Sequence, residues 1–162
     1  MVQTSSVDGY ANDWHLVHLG ARAAGGAGLV MTEAAAVEAR GRISIGDLGV
    51  WKDEHVDMLR RIARFVRCEG AVAGIQLAHG GRKSSYDLPF DRNGMRSLEH
   101  LLPGQGAWPV LGASPIPFDE TSPMPLEMSK ADIATVIDAY RCAAIRAVDA
   151  GFQWLEIHAA HG

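Results

Sequence analysis

The chain has 162 residues, 48% of them hydrophobic, and a net charge of −4, which suits one compact core and excludes a disordered tail. No run of about 18 apolar residues offers a membrane span, and the opening Met1-Val2-Gln3-Thr4-Ser5-Ser6 lacks the basic start and apolar centre of a secretory leader. Dispersed basic residues speak against a nucleic-acid partner, and two isolated cysteines, Cys68 and Cys142, give neither zinc spacing nor a disulfide framework, so a cytoplasmic location and small, partly buried thiols are expected.

Asn12 or Asp13 is placed to cap a first helix through Trp14, Leu16, Leu19 and Ala23, stopped by Gly25-Gly26. The apolar run Gly28–Thr32 then reads as a strand covered on both faces. Asp53 is expected to cap a second helix, with Val56, Leu59, Ile62, Ala63 and Val66 on one face. Its outer face carries Arg60, Arg61, Arg64 and Arg67, a cluster read as a solvated surface. After Gly70 comes a second strand, Ala71–Leu77.

From Gly80 to Glu127 the helical period disappears, and all seven prolines fall between Pro89 and Pro125. Residues 80–127 are therefore expected to form a long loop, a length that in a compact domain is often functional. Ser129 and Asp132 suggest a capping box for a third helix, whose stripe is Ile133, Val136, Ile137, Tyr140, Ala144, Ala147 and Val148. Gly151 ends it, and Trp154–Ile157 is the third strand. Alternating strands and helices imply one α/β unit with a parallel sheet and right-handed crossovers, either an open sheet or part of a barrel. The strands are followed by no G-x-G-x-x-G and no P-loop.

Sites on such sheets lie at the carboxyl ends of the strands, and each strand here ends in polar chemistry. Glu33 follows the first strand, with the small Ala34 beside it leaving room for a planar ligand to approach the backbone. Gln76 ends the second; its amide offers both a donor and an acceptor, the mixture a flat heterocycle with carbonyls and ring nitrogens requires. Ordinary hydrogen bonding to a neighbouring strand satisfies Gln76 equally well. Glu33 could serve as a general base, although a carboxylate at a strand end is often paired with a nearby arginine. His79, Arg82 and Lys83 form a basic entry to the loop, where pairing with local carboxylates is expected. His158 and His161 follow the third strand, three residues apart, as donors to a ligand oxygen or as satisfied loop histidines. A metal site would need a third ligand; the pair is not H-E-x-x-H, and no metal is expected.

Several segments resemble one family. Asp13-Trp14-His15-Leu16-Val17-His18-Leu19-Gly20 looks like its first barrel helix, and Gly41-Arg42-Ile43-Ser44 with Asp47-Leu48-Gly49-Val50-Trp51 resembles its loop after the second strand. Gly74-Ile75-Gln76-Leu77-Ala78-His79-Gly80-Gly81-Arg82-Lys83 is similar to its third-strand signature, Ser114–Phe118 and Pro125–Met128 to the stretch before its third helix, and Gly151-Phe152 through Glu156-Ile157-His158-Ala159-Ala160-His161-Gly162 to its fourth strand. Together these resemble the Old Yellow Enzyme family, in its bacterial NADPH dehydrogenase (ene-reductase) branch. The resemblance implies the first half of a (β/α)₈ TIM barrel with outer helices, since 162 residues fall short of the roughly 250 of a closed barrel. It implies FMN as cofactor, NADPH or NADH as reductant, and reduction of the C=C bond of an α,β-unsaturated carbonyl compound. By the same resemblance Met1, Ala34 and Gln76 contact the flavin, while His158 and His161 hold the substrate carbonyl oxygen.

The sequence departs from that family at Val2, where the branch has a cysteine, at Thr4, where it has a tyrosine, and at Gly162, just before a proton-donating tyrosine. The phosphate grip that such barrels build after strands seven and eight is also missing. Half a barrel leaves open sheet edges and uncovered apolar surface, so low stability or homo-oligomerisation of the isolated chain is expected. A non-catalytic half-barrel and a metal-dependent lyase using His158 and His161 are the competing readings.

Overall fold

The structure is a computed structural model that describes residues 2–90 and 99–160. Its centre is a three-stranded parallel sheet in the order β1 (Leu29–Ala36), β2 (Val72–Ala78), β5 (Trp154–Ile157). Helices α1 (Asp13–Ala24), α2 (Val56–Cys68) and α3 (Lys130–Asp149) cover one face. Helix α1 packs on α2 and β1, and α2 packs on β2 and α3. The core between the layers holds Leu19, Ala23, Val30, Ala35, Leu59, Ile62, Val66, Ala73, Ile75, Leu77, Ala143 and Ala147. Alternation along the strands therefore sends Ala73, Ile75 and Leu77 to the helices and leaves Gly74, Gln76 and Ala78 on the opposite face.

The helix ends follow local chemistry. Asn12, rather than Asp13, caps α1: its side chain accepts the Trp14 N–H at 3.0 Å. The expected box at α3 forms, with Ser129 Oγ accepting the Asp132 N–H and Asp132 accepting the Ser129 N–H. Gly70 and Gly151 end α2 and α3 with φ of +86° and +94°, a region where a side chain is strained.

Three expectations require correction. Asp53 does not cap α2; it opens a 3-10 turn, Asp53–His55, and accepts from Arg146 Nε at 2.6 Å, tying that turn to α3. The arginine pairs across the fold more profitably than the helix start does within it. The apolar stripe of α3 is split: Ala147 is buried, together with Ala143 outside the expected stripe, but Ile137 and Val148 are 65% and 61% exposed. Small residues let α3 approach α2 closely, and among the described residues no element covers the larger ones. Cys68 is exposed rather than partly buried, and Cys142 is half-buried. The arginine cluster of α2 is exposed as expected, with Arg60 paired to Asp57 and Asp149, and Arg61 to Asp13.

Within 80–127, order is supplied by a two-stranded parallel pair, β3 (Leu111–Gly112) with β4 (Leu126–Glu127), and by 3-10 turns at Gly81–Lys83 and Pro103–Gln105. Trp108 anchors the stretch through Nε1, which donates to Arg40 O at 2.9 Å.

Candidate active site

The register of the sheet aligns the residues singled out from sequence. Leu29, Val30 and Met31 pair with Val72, Ala73 and Gly74, after which Ala34, rather than Glu33, pairs with Gln76. Three steps along β1 thus match two along β2: a bulge holding one extra residue. The bulge lets Glu33 turn toward the helices while its neighbour Ala34 stays on the other face. Gln76 in turn pairs with Glu156, so Ala34, Gln76 and Glu156 form one row across the carboxyl-terminal part of three parallel strands.

A cavity of about 580 Å³ opens at that end of the sheet. Ala34, Ala36 and Ala78 give it a small-residue floor, and His79, Lys83 and His158 are among its walls. The sheet thus brings Ala34 and His158 to one cavity. Gln76 lies in the row beside it, on the same face as Ala78. Its Nε2 donates to Glu156 Oε1 at 2.5 Å, while its Oε1 is buried and has no hydrogen-bond partner. His158 stands one residue past β5, where its backbone N–H donates to Leu77 O at 2.9 Å. Met1 and His161, the remaining residues of the expected site, lie outside the described residues.

Glu33 has a different partner from the expected arginine. Its Oε1 lies 3.1 Å from Nε2 of His15, which is wholly buried. The Asn12 N–H donates to His15 Nδ1 at 3.1 Å, so the ring proton sits on Nε2 and faces the carboxylate. Ser6 Oγ lies 3.3 Å from the same nitrogen, and Asn12 Nδ2 donates to Ser5 O at 2.7 Å. The amino-terminal strap, whose Val2 reaches the cavity, is therefore fastened to α1 and the end of β1. The sequence held no local signal for this pair, because eighteen residues separate its members.

His79 is equally committed. The Gly81 N–H donates to Nδ1 at 2.9 Å, and Nε2 faces Glu38 Oε1 at 2.8 Å. Burial pushes the Glu38 carboxyl up, but hydrogen bonds from His79 and Arg40 outweigh it and hold the group below the ordinary range. With both nitrogens engaged, His79 has neither lone pair nor proton to offer a ligand. Gly41 permits this packing, since a Cβ there would come within 2.7 Å of the His79 ring. Asp47, also on the cavity wall, is 3% exposed and accepts from the Ile43 N–H and Ser44 Oγ, each at 2.7 Å. Burial raises its pKa.

Arg82 and Lys83 overturn the expected pairing with carboxylates. Among the described residues neither makes an ion pair; both lie over the ring of Phe118, at 6.0 and 4.5 Å from its centroid. No group of three His, Cys, Asp or Glu residues able to hold a metal occurs among the described residues.

Comparison with known proteins matches residues 1–162 to the NADH:flavin oxidoreductase / NADH oxidase family. The chain belongs to that family. It is 45% identical over 162 residues to the NADPH dehydrogenase of Geobacillus sp. (strain WCH70), and 45% identical to that of Listeria monocytogenes serotype 4a (strain HCC23). In each case the match spans all of this chain and 42% of the relative. The Old Yellow Enzyme of Pichia sp. AKU4542 superposes with a TM-score of 0.81 at 25% identity, over 100% of this chain and 41% of that one. Morphinone reductase in complex with tetrahydroNAD superposes with a TM-score of 0.74 at 22% identity, over 99% and 44%, which bears on the fold alone. The layers described above are thus part of a (β/α)₈ barrel. Members of the NADH:flavin oxidoreductase family are FMN-dependent oxidoreductases that use NAD(P)H. The side chains present fit such a cofactor on one observation in particular. A buried amide oxygen without a partner is costly, and Gln76 Oε1 can accept a ring N–H of the kind isoalloxazine carries.

Proposed function

We propose that this chain contributes the opening strands of an FMN-dependent oxidoreductase that reduces the C=C bond of α,β-unsaturated carbonyl compounds at the expense of NADPH or NADH. The observation that carries the reading is the row Ala34–Gln76–Glu156 beside a small-floored cavity, with Gln76 Oε1 buried and unpartnered. Two-electron transfer from the nicotinamide to the alkene is the chemistry a flavin supplies when bound.

The chain's own residues bind and orient. Ala34 keeps bulk away from the ring face. Gln76 accepts from the ring edge while Glu156 fixes its amide through Nε2. Met1, by the family resemblance, is assigned a further flavin contact. His158, with His161, donates to the substrate carbonyl oxygen, which polarises the alkene and stabilises charge developing on that oxygen. The His15–Glu33 pair holds the strap and β1 in place without touching ligand.

We place the protein in the cytoplasm, consistent with two unpaired cysteines; no helix among the described residues is long and apolar enough to cross a membrane. The exposed apolar side chains of α3, with Trp154 and Ile157 on β5, support association with further polypeptide, including a second copy.

Titration of the purified chain with FMN, followed by visible absorbance and flavin fluorescence, tests the reading. Saturable binding that Gln76→Leu weakens is expected. A chain that leaves the flavin spectrum unaltered at every concentration overturns it.

A further inference from the structure

Six of the thirteen described lysines and arginines, Arg40, Lys52, Arg60, Arg61, Arg141 and Arg146, are held by carboxylates. Of those without a carboxylate partner among the described residues, Arg82 and Lys83 are the two that line the cavity, where they are adjacent and half-buried. The carboxylates of this region have other hydrogen-bond partners, Asp119 beside Phe118 being held by Thr121 and Ser122. Asp47 is occupied by Ile43 and Ser44, and Glu38 is occupied by His79 and Arg40.

The backbone holds this pair in place. Gly80 N donates to Gly41 O at 2.7 Å, Lys83 N to Gly80 O at 3.0 Å, and Gly81 N to the immobilised His79 ring. Phe118, 44% exposed, provides an aromatic platform that steadies both side chains. A guanidinium fork beside an ammonium is the donor set that suits a phosphate monoester, which carries about −1.5 to −2 charge and three acceptor oxygens.

We propose that Arg82 and Lys83 form a phosphate-reading rim of the cavity, which takes the 2′-phosphate of NADPH and so favours NADPH over NADH. The ligand assignment rests on the nicotinamide-dependent reading given above. NADPH and NADH differ only by that phosphate, so the rim acts on the choice of reductant and leaves the flavin contacts alone.

Calorimetry on the 162-residue chain with adenosine 2′,5′-bisphosphate and with 5′-AMP isolates the 2′-phosphate without needing flavin or turnover. At low salt the bisphosphate is expected to bind roughly tenfold or more tightly, with the gap closing as salt is added and in the Arg82→Gln/Lys83→Gln double variant. Circular dichroism of that variant checks that the fold is retained. Equal affinities, a gap that survives in the double variant, or no measurable binding of either nucleotide overturns the proposal. Inorganic phosphate displacing the bisphosphate with equal affinity also overturns it, since the site then reads free phosphate. The FMN titration run beside it separates the two readings. Flavin binding without a nucleotide gap defeats only the rim, and a gap in a chain that ignores flavin defeats only the flavin assignment.

Discussion

His15 and Glu33 meet 3.1 Å apart, His15 wholly buried and the Glu33 side chain 6% exposed, with the imidazole proton directed at the carboxylate. Removing the histidine strands a buried charge, whereas removing the charge strands nothing. His15→Ala is therefore expected to destabilise the chain by about 3 kcal/mol, and Glu33→Gln, which keeps an acceptor, by only about 1 kcal/mol. Urea unfolding followed by tryptophan fluorescence checks the order. Equal effects would show that the pair is a packing contact and no more.

Gln76→Leu removes both the Nε2 donor to Glu156 and the buried, unpartnered acceptor Oε1. The flavin dissociation constant is expected to rise about tenfold with little change in far-ultraviolet circular dichroism. An unaltered constant in the titration excludes Gln76 from the ring edge.

At the cavity floor, Ala34→Leu projects bulk into the space where the ring is expected to lie. Flavin affinity should fall about fivefold or more, because overpacking of this kind costs about 1–3 kcal/mol. Gly41→Ala acts differently: its methyl meets the His79 ring and loosens the turn that carries Arg82 and Lys83, so the nucleotide contacts suffer more than the flavin contacts. Parallel titrations of the two variants separate floor from rim.

His55 gives the stability a pH dependence. It is 1% exposed; Nε2 lies 3.0 Å from Asp8 O, and Nδ1 has no partner. Burial lowers its pKa from the ordinary 6.5. A depressed histidine favours the folded state while it is neutral, so this contribution is complete above about 6.5 and is lost as pH falls below that value toward the folded pKa. His18 and His100 are also lowered by burial and add with the same sign. His55→Gln should flatten the fall in melting temperature measured on acidification from neutral pH, and an unchanged slope would assign the effect elsewhere.

The order of helices and strands could be read from the sequence because period and capping are local. Asn12, Ser129 and Asp132 act within three residues, and the stripe Val56, Leu59, Ile62, Ala63, Val66 is buried as its spacing required. The alignment of Ala34 with Gln76 followed from both closing parallel strands. The remainder depends on distant partners. Whether Glu33 meets His15 or an arginine is decided by the bulge in β1, which no periodicity announces. Glu156 was passed over because its tie to Gln76 exists only after β5 docks on β2. Asp53 looked like a cap by position, and Arg146, ninety-three residues away, claimed it instead. The α3 stripe satisfied the helical period, yet period alone does not say how much covering surface a helix will meet.

The extra residue in β1 ties two properties together. On one side of it Glu33 anchors the helix layer through His15; on the other Ala34 lines the cavity. A single deletion at Thr32 or Glu33 would restore an uninterrupted ladder with Ala34 still opposite Gln76, but it would take away either Glu33 itself or the slack that lets Glu33 reach His15. Shortening the strand here would therefore spare the sheet and loosen the amino-terminal strap.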